Sequence, residues 1–324
     1  MSMPLDNQQQ SSPLAASTVK PRTTISSDYI QTVKRRFILG INLISFLGCV
    51  IAIYQIFSFG IGFLEIGLLV LMYTLTGIGI SVGYHRYFTH KSFDTNPAMR
   101  ITLAILGSMA GHGPVISWTA VHRCHHKYSD VPDDPHSPNL NGEGFWNRFR
   151  GLWHAHMGWL LNSDLPNSFI FAKDLILDSV IAKVNRLYLL WVFAGLAVPA
   201  ILGGLLTWTW MGAFQGFLWG GLVRVFLGFH ATCSINSITH SFGRRPFDTR
   251  ENSTNLAWLA IPTFGEGWHN NHHAFPASAR FGLEWWQFDM GYLFIRAFER
   301  VGLIWNVKVP SEDRIAAKRV VAVS

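Results

Sequence analysis

Three long runs without a single charge constrain this chain more than any other feature. Phe37 to Leu64 carries none, Ile66 to Tyr84 carries none, and Leu187 to Val223 carries none. About 20 apolar residues cross the hydrocarbon core of a bilayer as a helix, and in lipid each backbone polar group must be paired within its own segment. Only Glu65 and neighbouring glycines separate the first two runs, which marks a tight hairpin. The third is too long for one crossing and breaks at Thr207-Trp-Thr-Trp210, where the aromatic residues are of interfacial type. The chain is 49% hydrophobic and 14% charged, against about 25% charged for soluble domains. The expectation is an all-α, polytopic membrane protein with four transmembrane helices in two hairpins, near 37–58, 66–84, 187–206 and 211–232.

Charge orients those spans. Lys and Arg collect before Phe37, between His85 and Arg186, and after His240, while both short hairpin turns lack them. By the positive-inside rule, both termini and the central segment lie in the cytoplasm, as in a bacterial inner or cyanobacterial membrane. The net charge of +7 suits a surface held against anionic lipid. With no separate basic helix or arm, a nucleic-acid partner is not expected. Residues 1–30, polar and without an apolar signal core, are expected to be a disordered cytoplasmic N-terminus. Residues 31–310 then form one domain and 311–324 a C-terminal tail. A further apolar stretch, Ile101 to Val121, is interrupted by Gly107, Gly111, Gly113 and Pro114. A crossing there would put His122, His125 and His126 on the opposite side from His85 and His90, so it reads as a helix at the interface. Trp285 to Phe298, followed by Glu299 and Arg300, reads as a surface-bound amphipathic helix. Cys49, Cys124 and Cys233 form no CxxC pair, as expected in a reducing compartment.

The chemistry lies in the histidines. All fourteen fall between His85 and His273. His122-Arg-Cys-His125-His126 and His269-Asn-Asn-His272-His273 repeat one pattern, and at ~100° per residue positions i, i+3 and i+4 share a helix face. His85 and His90, five apart, stand about 140° apart on an α-helix and suit the frayed end of the second span. His112, His136, His154, His156 and His230 fall outside these clusters and read as structural. Imidazole suits iron, zinc, copper or nickel, and so many rings on converging faces exceed the needs of one ion. Cys124, among them, is a further candidate ligand. Ferritin-type di-iron sites use two Glu-x-x-His pairs; here only Glu266-Gly-Trp-His269 fits. The His-Glu-x-x-His signature of a zinc protease is absent from the sequence. A nitrogen-rich pair of metals beside a membrane points to iron handling O2, with an apolar chain as substrate.

At this point the chain resembles the membrane-bound fatty-acid desaturases of the delta-9 acyl-CoA or acyl-lipid type, from about Phe37 to Pro310. The resemblance rests on Gly83-Tyr-His-Arg-Tyr-Phe-Thr-His90, His122-Arg-Cys-His-His-Lys-Tyr-Ser-Asp130, Asp134-Pro-His136, His156-Met-Gly-Trp159, Asn236-Ser-Ile-Thr-His240 and Gly265-Glu-Gly-Trp-His-Asn-Asn-His-His-Ala-Phe-Pro276. It implies four spans under a cytoplasmic helical cap that holds a His-rich di-iron site. It implies that His85, His90, His126 and His273 bind one iron, with Asn236 reaching it through water. His122, His125, His240, His269 and His272 would bind the other, so that each His-x-x-His-His segment straddles both. No catalytic residue beyond these ligands is implied.

The expected reaction is O2-dependent insertion of a cis double bond, at delta-9 by resemblance, into a saturated acyl chain. The chain must be held bent and still beside the irons, because hydroxylation competes; a membrane di-iron fatty-acyl or alkane hydroxylase is the alternative reading. A non-enzymatic membrane metal-binding protein is a more remote one. Tyr73, about 18 Å along a helix before His85, resembles the residue that closes the acyl tunnel in relatives, and Trp118 leads into the second cluster as a tunnel candidate. Arg224, inside the fourth span, is either functional or snorkelling. Animal acyl-CoA enzymes carry an Arg-Asp pair before the second cluster where this chain has Trp118-Thr119-Ala120-Val121, which favours an acyl-lipid over an acyl-CoA substrate. No haem, dinucleotide or iron–sulfur signature occurs, so electrons are expected from a separate ferredoxin or cytochrome b5-type donor. Arg123, Lys127, Arg148 and Arg150 could steer it.

Overall fold

The structure, a computed structural model, describes residues 23–162 and 164–320. Most of the expected disordered N-terminus therefore lies outside the described residues. Four described helices are long and apolar enough to cross a membrane: α1 (Asp28–Phe59), α2 (Phe63–Thr89), and later the pair Tyr188–Thr207 and Trp210–Ile238. Each hairpin ends where the sequence loses its helical options. Gly60 turns at φ 80°, and the Glu65 carboxylate accepts the Gly62 N–H at 3.1 Å to cap α2. In the second hairpin Trp208 is left-handed at φ 55°, and the Thr209 hydroxyl accepts the Gly212 N–H at 3.0 Å.

Between the hairpins, α3 (Pro97–Met109) and α4 (Val115–Tyr128) are parted by the break around Gly111, Gly113 and Pro114. At 13 residues, α3 is about 20 Å long, too short to span. It packs against the last turns of α2 so closely that a Cβ on Gly79 would lie 2.2 Å from the Gly107 nitrogen. The spans near 188 and 210 are α5 (Tyr188–Thr207) and α6 (Trp210–Ile238). They meet through glycine as well: a Cβ on Gly216 would lie 1.9 Å from the Pro199 oxygen.

Arg224 of α6 neither snorkels nor faces lipid. It is 1% exposed and fills two gaps in the backbone pairing of its neighbours. Pro199 has no N–H to offer the Gly195 carbonyl one turn back, and Met109 ends α3 with its carbonyl unpaired. The guanidinium donates to both, at 2.6 Å and 2.8 Å. One cation thus ties α3, α5 and α6 together inside the bundle.

The cap is assembled largely from the chain after α6. A short helix, α7 (His269–Ala274), α8 (Met290–Arg300) and α9 (Glu312–Lys318) are joined by ordered loops. Two small antiparallel pairs stitch distant segments: Thr24–Ile25 with Leu165–Pro166, and Asp94–Thr95 with Ile304–Trp305. The segment expected as a tail is docked through α9, where Ile315 is 3% exposed against Phe247, Phe275 and Leu283. The helix expected around Trp285 to Phe298 begins only at Met290, because Asp289 caps it by accepting the Tyr292 N–H at 2.9 Å. The largest buried core lies where α2, α3, α4 and the cap meet, around Tyr84, Phe88, Leu103, Val115, Ile295 and Ile304. Large apolar side chains on α1, such as Leu43, Phe46, Leu47 and Phe57, are exposed, as a lipid-facing surface requires.

Candidate metal centre

Residues 79–89 of α2 are wound wider than an α-helix, with hydrogen bonds closing five residues apart. The His90 N–H donates to the His85 carbonyl at 3.2 Å. This wide turn overrides the 140° separation expected on an α-helix: i and i+5 stand one above the other, and the rings lie 4.9 Å apart. The end of α2 therefore delivers two imidazoles to one place.

α4, the segment after α6, and α7 supply the rest. Nine ring nitrogens converge in two groups: His85, His90, His122, His126 and His272 in one, and His125, His240, His269 and His273 in the other. This division differs from the one the resemblance implied. His122 and His272 lie with His85, and His273 lies with His240. The reason is helical geometry: i and i+4 are about 40° apart, while i+3 points about 60° the other way. Accordingly His122 pairs with His126 and His269 with His273, at 3.0 Å and 3.1 Å between Nε2 atoms, while His125 and His272 cross over. Each segment does straddle both groups, two nitrogens to one. Asn236, one turn before His240, lines the same cavity as His269 on the four-nitrogen side.

The inner nitrogens are all Nε2. Besides those pairs, His85–His272 is 3.0 Å, His126–His272 2.9 Å and His240–His269 3.0 Å. The buried Nε2 atoms of His90 and His125 have no hydrogen-bond partner. Outer nitrogens meet carboxylates: His85 Nδ1 bonds Glu266, His125 Nδ1 bonds Asp134 at 3.0 Å, and His240 Nδ1 bonds Asp130 at 3.0 Å. His273 Nδ1 is 3.6 Å from Glu251. A neutral imidazole that donates from Nδ1 presents only a lone pair at Nε2. Lone pairs facing each other at 3 Å repel unless a cation lies between them. At metal–nitrogen distances of about 2.1 Å, donors 90° apart stand about 3.0 Å from one another, and donors at the tetrahedral angle about 3.4 Å. The observed spacing fits two metals with near-right-angle coordination better than tetrahedral structural zinc.

Electrostatics agree. Burial, reinforced by neighbouring imidazoles, holds His90, His122, His126, His269, His272 and His273 well below the ordinary histidine range, so these rings are neutral near pH 7. Burial acts the same way on His125, but the Asp134 carboxylate outweighs it and raises that ring. Burial would raise Asp130 and Asp134, yet their bonds to His240 and His125 pull both below the carboxylate range. Glu266 is lowered likewise, against burial, by His85 and then Arg86. Arg86, 0% exposed, also bonds Asp289 at 2.8 Å and lies over the Phe281 ring at 3.8 Å. These partners fix ring tautomers and raise ligand basicity.

Sequence reasoning missed the carboxylates. Asp130, Asp134 and Glu266 stand inside the histidine-bearing motifs, close to ligand-type rings, and that proximity was the available signal; Glu251 had none. Cys124 is not a ligand candidate: its thiol, pushed up to about 12 by burial and then Asp134, points to the Asp133 carbonyl. His136, read as structural, stacks on His125 with centroids 4.3 Å apart. Arg123 is engaged by Asp174 at 2.7 Å and by the carbonyls of Phe88, Thr89 and Phe171, so it serves as a brace.

Two cavities meet at this centre. One, of about 70 Å³, runs from His85, His122 and His269 into the bundle and ends at Tyr73, whose hydroxyl donates to the Pro262 carbonyl at 2.8 Å. The other, about 570 Å³ and mostly apolar, opens beside Tyr29, Ile30 and Val33 of α1. Trp118, stacked on His122 at 5.2 Å, lines both, as do His112 and Asn236. A third space, about 460 Å³, reaches His90, His126 and His273 between Lys127, Arg250 and Lys318.

A family model for fatty acid desaturases matches residues 62–303. The chain is 50% identical over 321 residues to a hex-5-enoyl-[acyl-carrier protein] acetylenase of Moorena producens (strain JHB), covering 98% of this chain and 99% of that one. It is 36% identical over 281 residues to an sn-1 stearoyl-lipid 9-desaturase of Anabaena variabilis, covering 85% and 95%. To an acyl-CoA C20 Delta5-desaturase of Anemone leveillei it is 37% identical over 246 residues, covering 74% and 73%.

Proposed function

The chain belongs to the fatty acid desaturase family, and within it we propose an enzyme that unsaturates the far end of a short acyl chain carried as a thioester. The observation that carries this reading is the pair of unequal cavities flanking two groups of inward imidazoles. A delta-9 bond in an eighteen-carbon chain leaves nine carbons beyond the metals. The space beyond them here is about 70 Å³, against about 570 Å³ on the approach side, and the Tyr73–Pro262 bond closes it. The acetylenase relative, similar along nearly its whole length, is named for a six-carbon chain on a carrier protein. That name favours the thioester over the acyl lipid expected from the sequence.

His85, His90, His122, His126 and His272 would hold one iron; His125, His240, His269 and His273 would hold the other, with Asn236 beside it. Iron bound there supplies the one-electron chemistry that couples O2 reduction to C–H cleavage. Overall, R–CH2–CH2–R′ + O2 + 2 e⁻ + 2 H⁺ gives R–CH=CH–R′ + 2 H2O. The chain's own residues do the positioning. Glu266, Asp134, Asp130 and Glu251 orient their imidazoles. Trp118 and His122 form one wall of the passage, and Tyr73 stops the chain's end. The space between Lys127, Arg250 and Lys318 brings ligand-type rings nearest to solvent, and we assign it to docking of an acidic electron donor, ferredoxin or cytochrome b5-type, on the cytoplasmic face.

The test is to supply the iron-loaded protein, an electron donor and O2 with hexanoyl and octadecanoyl thioesters, then analyse products by mass spectrometry. Loss of two hydrogens from the six-carbon chain near its free end is expected. Addition of one oxygen would establish the hydroxylase instead, and reaction of the long chain alone would refute the short-chain reading.

A further inference from the structure

The larger cavity is apolar along most of its wall, with Ile30, Val33, Phe37, Leu160 and Leu189 among its lining, yet three buried polar groups on that wall are unpaired. Both ring nitrogens of His112, the Trp159 Nε1 and the His136 Nδ1 have no hydrogen-bond partner. The nearest carboxylate oxygen to His136 Nδ1 is that of Asp134, 3.9 Å away and beyond hydrogen-bond reach. Burial, then Arg224 and His230, pushes His112 down to about 3, so near pH 7 its ring is neutral, with one donor and one acceptor. An unpaired buried polar group costs about 1–3 kcal/mol. A hydrocarbon chain filling this cavity would leave all of them unpaired, so the wall is built for something that carries both carbonyls and N–H groups.

Position narrows the class. His112 lines both cavities, at the junction beside Trp118 and His122. If the reacting carbons are the fifth and sixth, four C–C bonds of ~1.5 Å put the carbonyl carbon about 5 Å from them along the chain. The polar head of a short thioester thus falls inside the protein, near His112, whereas an ester on a chain that reacts at its ninth carbon stands about twice as far away. We propose that this cavity binds the amide-bearing pantetheine arm of an acyl thioester, with His112, Trp159 and His136 as its polar contacts. The inference rests on the short-chain reading above. Carrier protein and coenzyme A both present this arm.

The test is calorimetric binding to the full-length, metal-free protein in nanodiscs, which reads the arm separately from catalysis. S-hexanoyl-pantetheine is expected to bind at least tenfold more tightly than methyl hexanoate. His112→Phe and Trp159→Phe should each weaken the thioester about fivefold, as loss of one hydrogen bond near 1 kcal/mol implies, and leave the methyl ester unchanged. Equal affinity of the wild type for both ligands, or equal weakening of both by the variants, overturns the proposal. Hexanoyl-carrier protein and hexanoyl-coenzyme A are titrated alongside, and tighter binding of either over the bare arm supports the proposal and identifies the source. A protein that unsaturates hexanoyl chains without discriminating the arm sinks this inference alone; one that binds the arm but makes no product sinks the reaction.

Discussion

Replacing Glu266 by Gln should separate the two metals. Its carboxylate accepts the His85 Nδ1 proton and, on its other oxygen, the Ser81 hydroxyl, with Arg86 Nη1 at 3.4 Å. Glutamine has the same shape, but its NH2 would face His85 and donate to Nδ1. The ring proton then moves to Nε2, the atom that faces the other nitrogens of its group. Loss of such a partner costs about 10–100-fold in metal affinity, or about 1.4–2.7 kcal/mol. Arg86 keeps Asp289 at 2.8 Å, so the fold retains a buried counter-charge. The four-nitrogen group relies on Asp130, Asp134 and Glu251 instead and should be unaffected. Anaerobic equilibrium dialysis of the metal-free protein against Fe(II), with metal counted by mass spectrometry, reads both binding midpoints. In Glu266→Gln one midpoint should weaken by 10–100-fold and the other stay; Asp130→Asn, acting through His240, should move the second and spare the first. If both variants shift the same midpoint, or either shifts both equally, the grouping of nitrogens is wrong.

Other perturbations read other parts of the structure. Tyr73→Ala should open the closed cavity and raise the kcat/KM ratio of octanoyl over hexanoyl thioester at least tenfold, since one methylene in such a pocket carries about 1–3 kcal/mol; an unchanged ratio would mean that Tyr73 is only packing. Arg224→Leu leaves the carbonyls of Met109 and Gly195 unpaired and should cost about 2–6 kcal/mol, seen as a lower Tm in detergent, and a Tm equal to wild type would refute the staple. Acid should destabilise the metal-free fold: six buried rings are held below their unfolded pKa of about 6.5, so below that pH the unfolded chain binds more protons and stability is lost as pH falls, by up to about 1.4 kcal/mol per ring per pH unit. His125, raised by Asp134, opposes this with one ring against six. Tm should therefore drop between pH 7.5 and 5.5, and a flat profile would show that the rings are not held neutral.

The sequence made the spans legible because uncharged length is a strong signal, and glycine or an exposed Trp at each turn is a local one. It also put the imidazoles on shared faces, since i, i+3 and i+4 share a face on any α-helix. The division between metals was harder to read. It depends on a 40° against a 60° offset, on a six-residue α7, and on a wide turn in α2 that brings His85 and His90 together. No residue pattern announces that turn; it is seen only where α3 presses Gly107 against Gly79. His240 lay outside the spacing pattern and entered through resemblance, because its partners are more than one hundred residues away in one direction and nearly thirty in the other. Arg224 looked anomalous in an apolar run, and its reason, a proline one turn past Gly195 on another helix, is purely tertiary.

Charge explains why the carboxylates matter despite touching no inner nitrogen. Arg86 and Asp289 offset each other, which leaves Asp130, Asp134, Glu251 and Glu266 around nine imidazoles that are largely neutral. Burying four carboxylates with no cation would cost several kcal/mol each. Two divalent ions supply the matching positive charge, so the protein is built to a charge state completed by metal. The compensation is unequal, with three carboxylates behind the four-nitrogen group and one, shared with Arg86, behind the five-nitrogen group. A more anionic surrounding favours the higher charge on a bound metal, and fewer protein ligands leave more positions open. Both push the same way: the four-nitrogen group, beside Asn236, is the one whose metal is better placed to give up an electron. An imidazole count alone would have made the two sites look nearly equivalent.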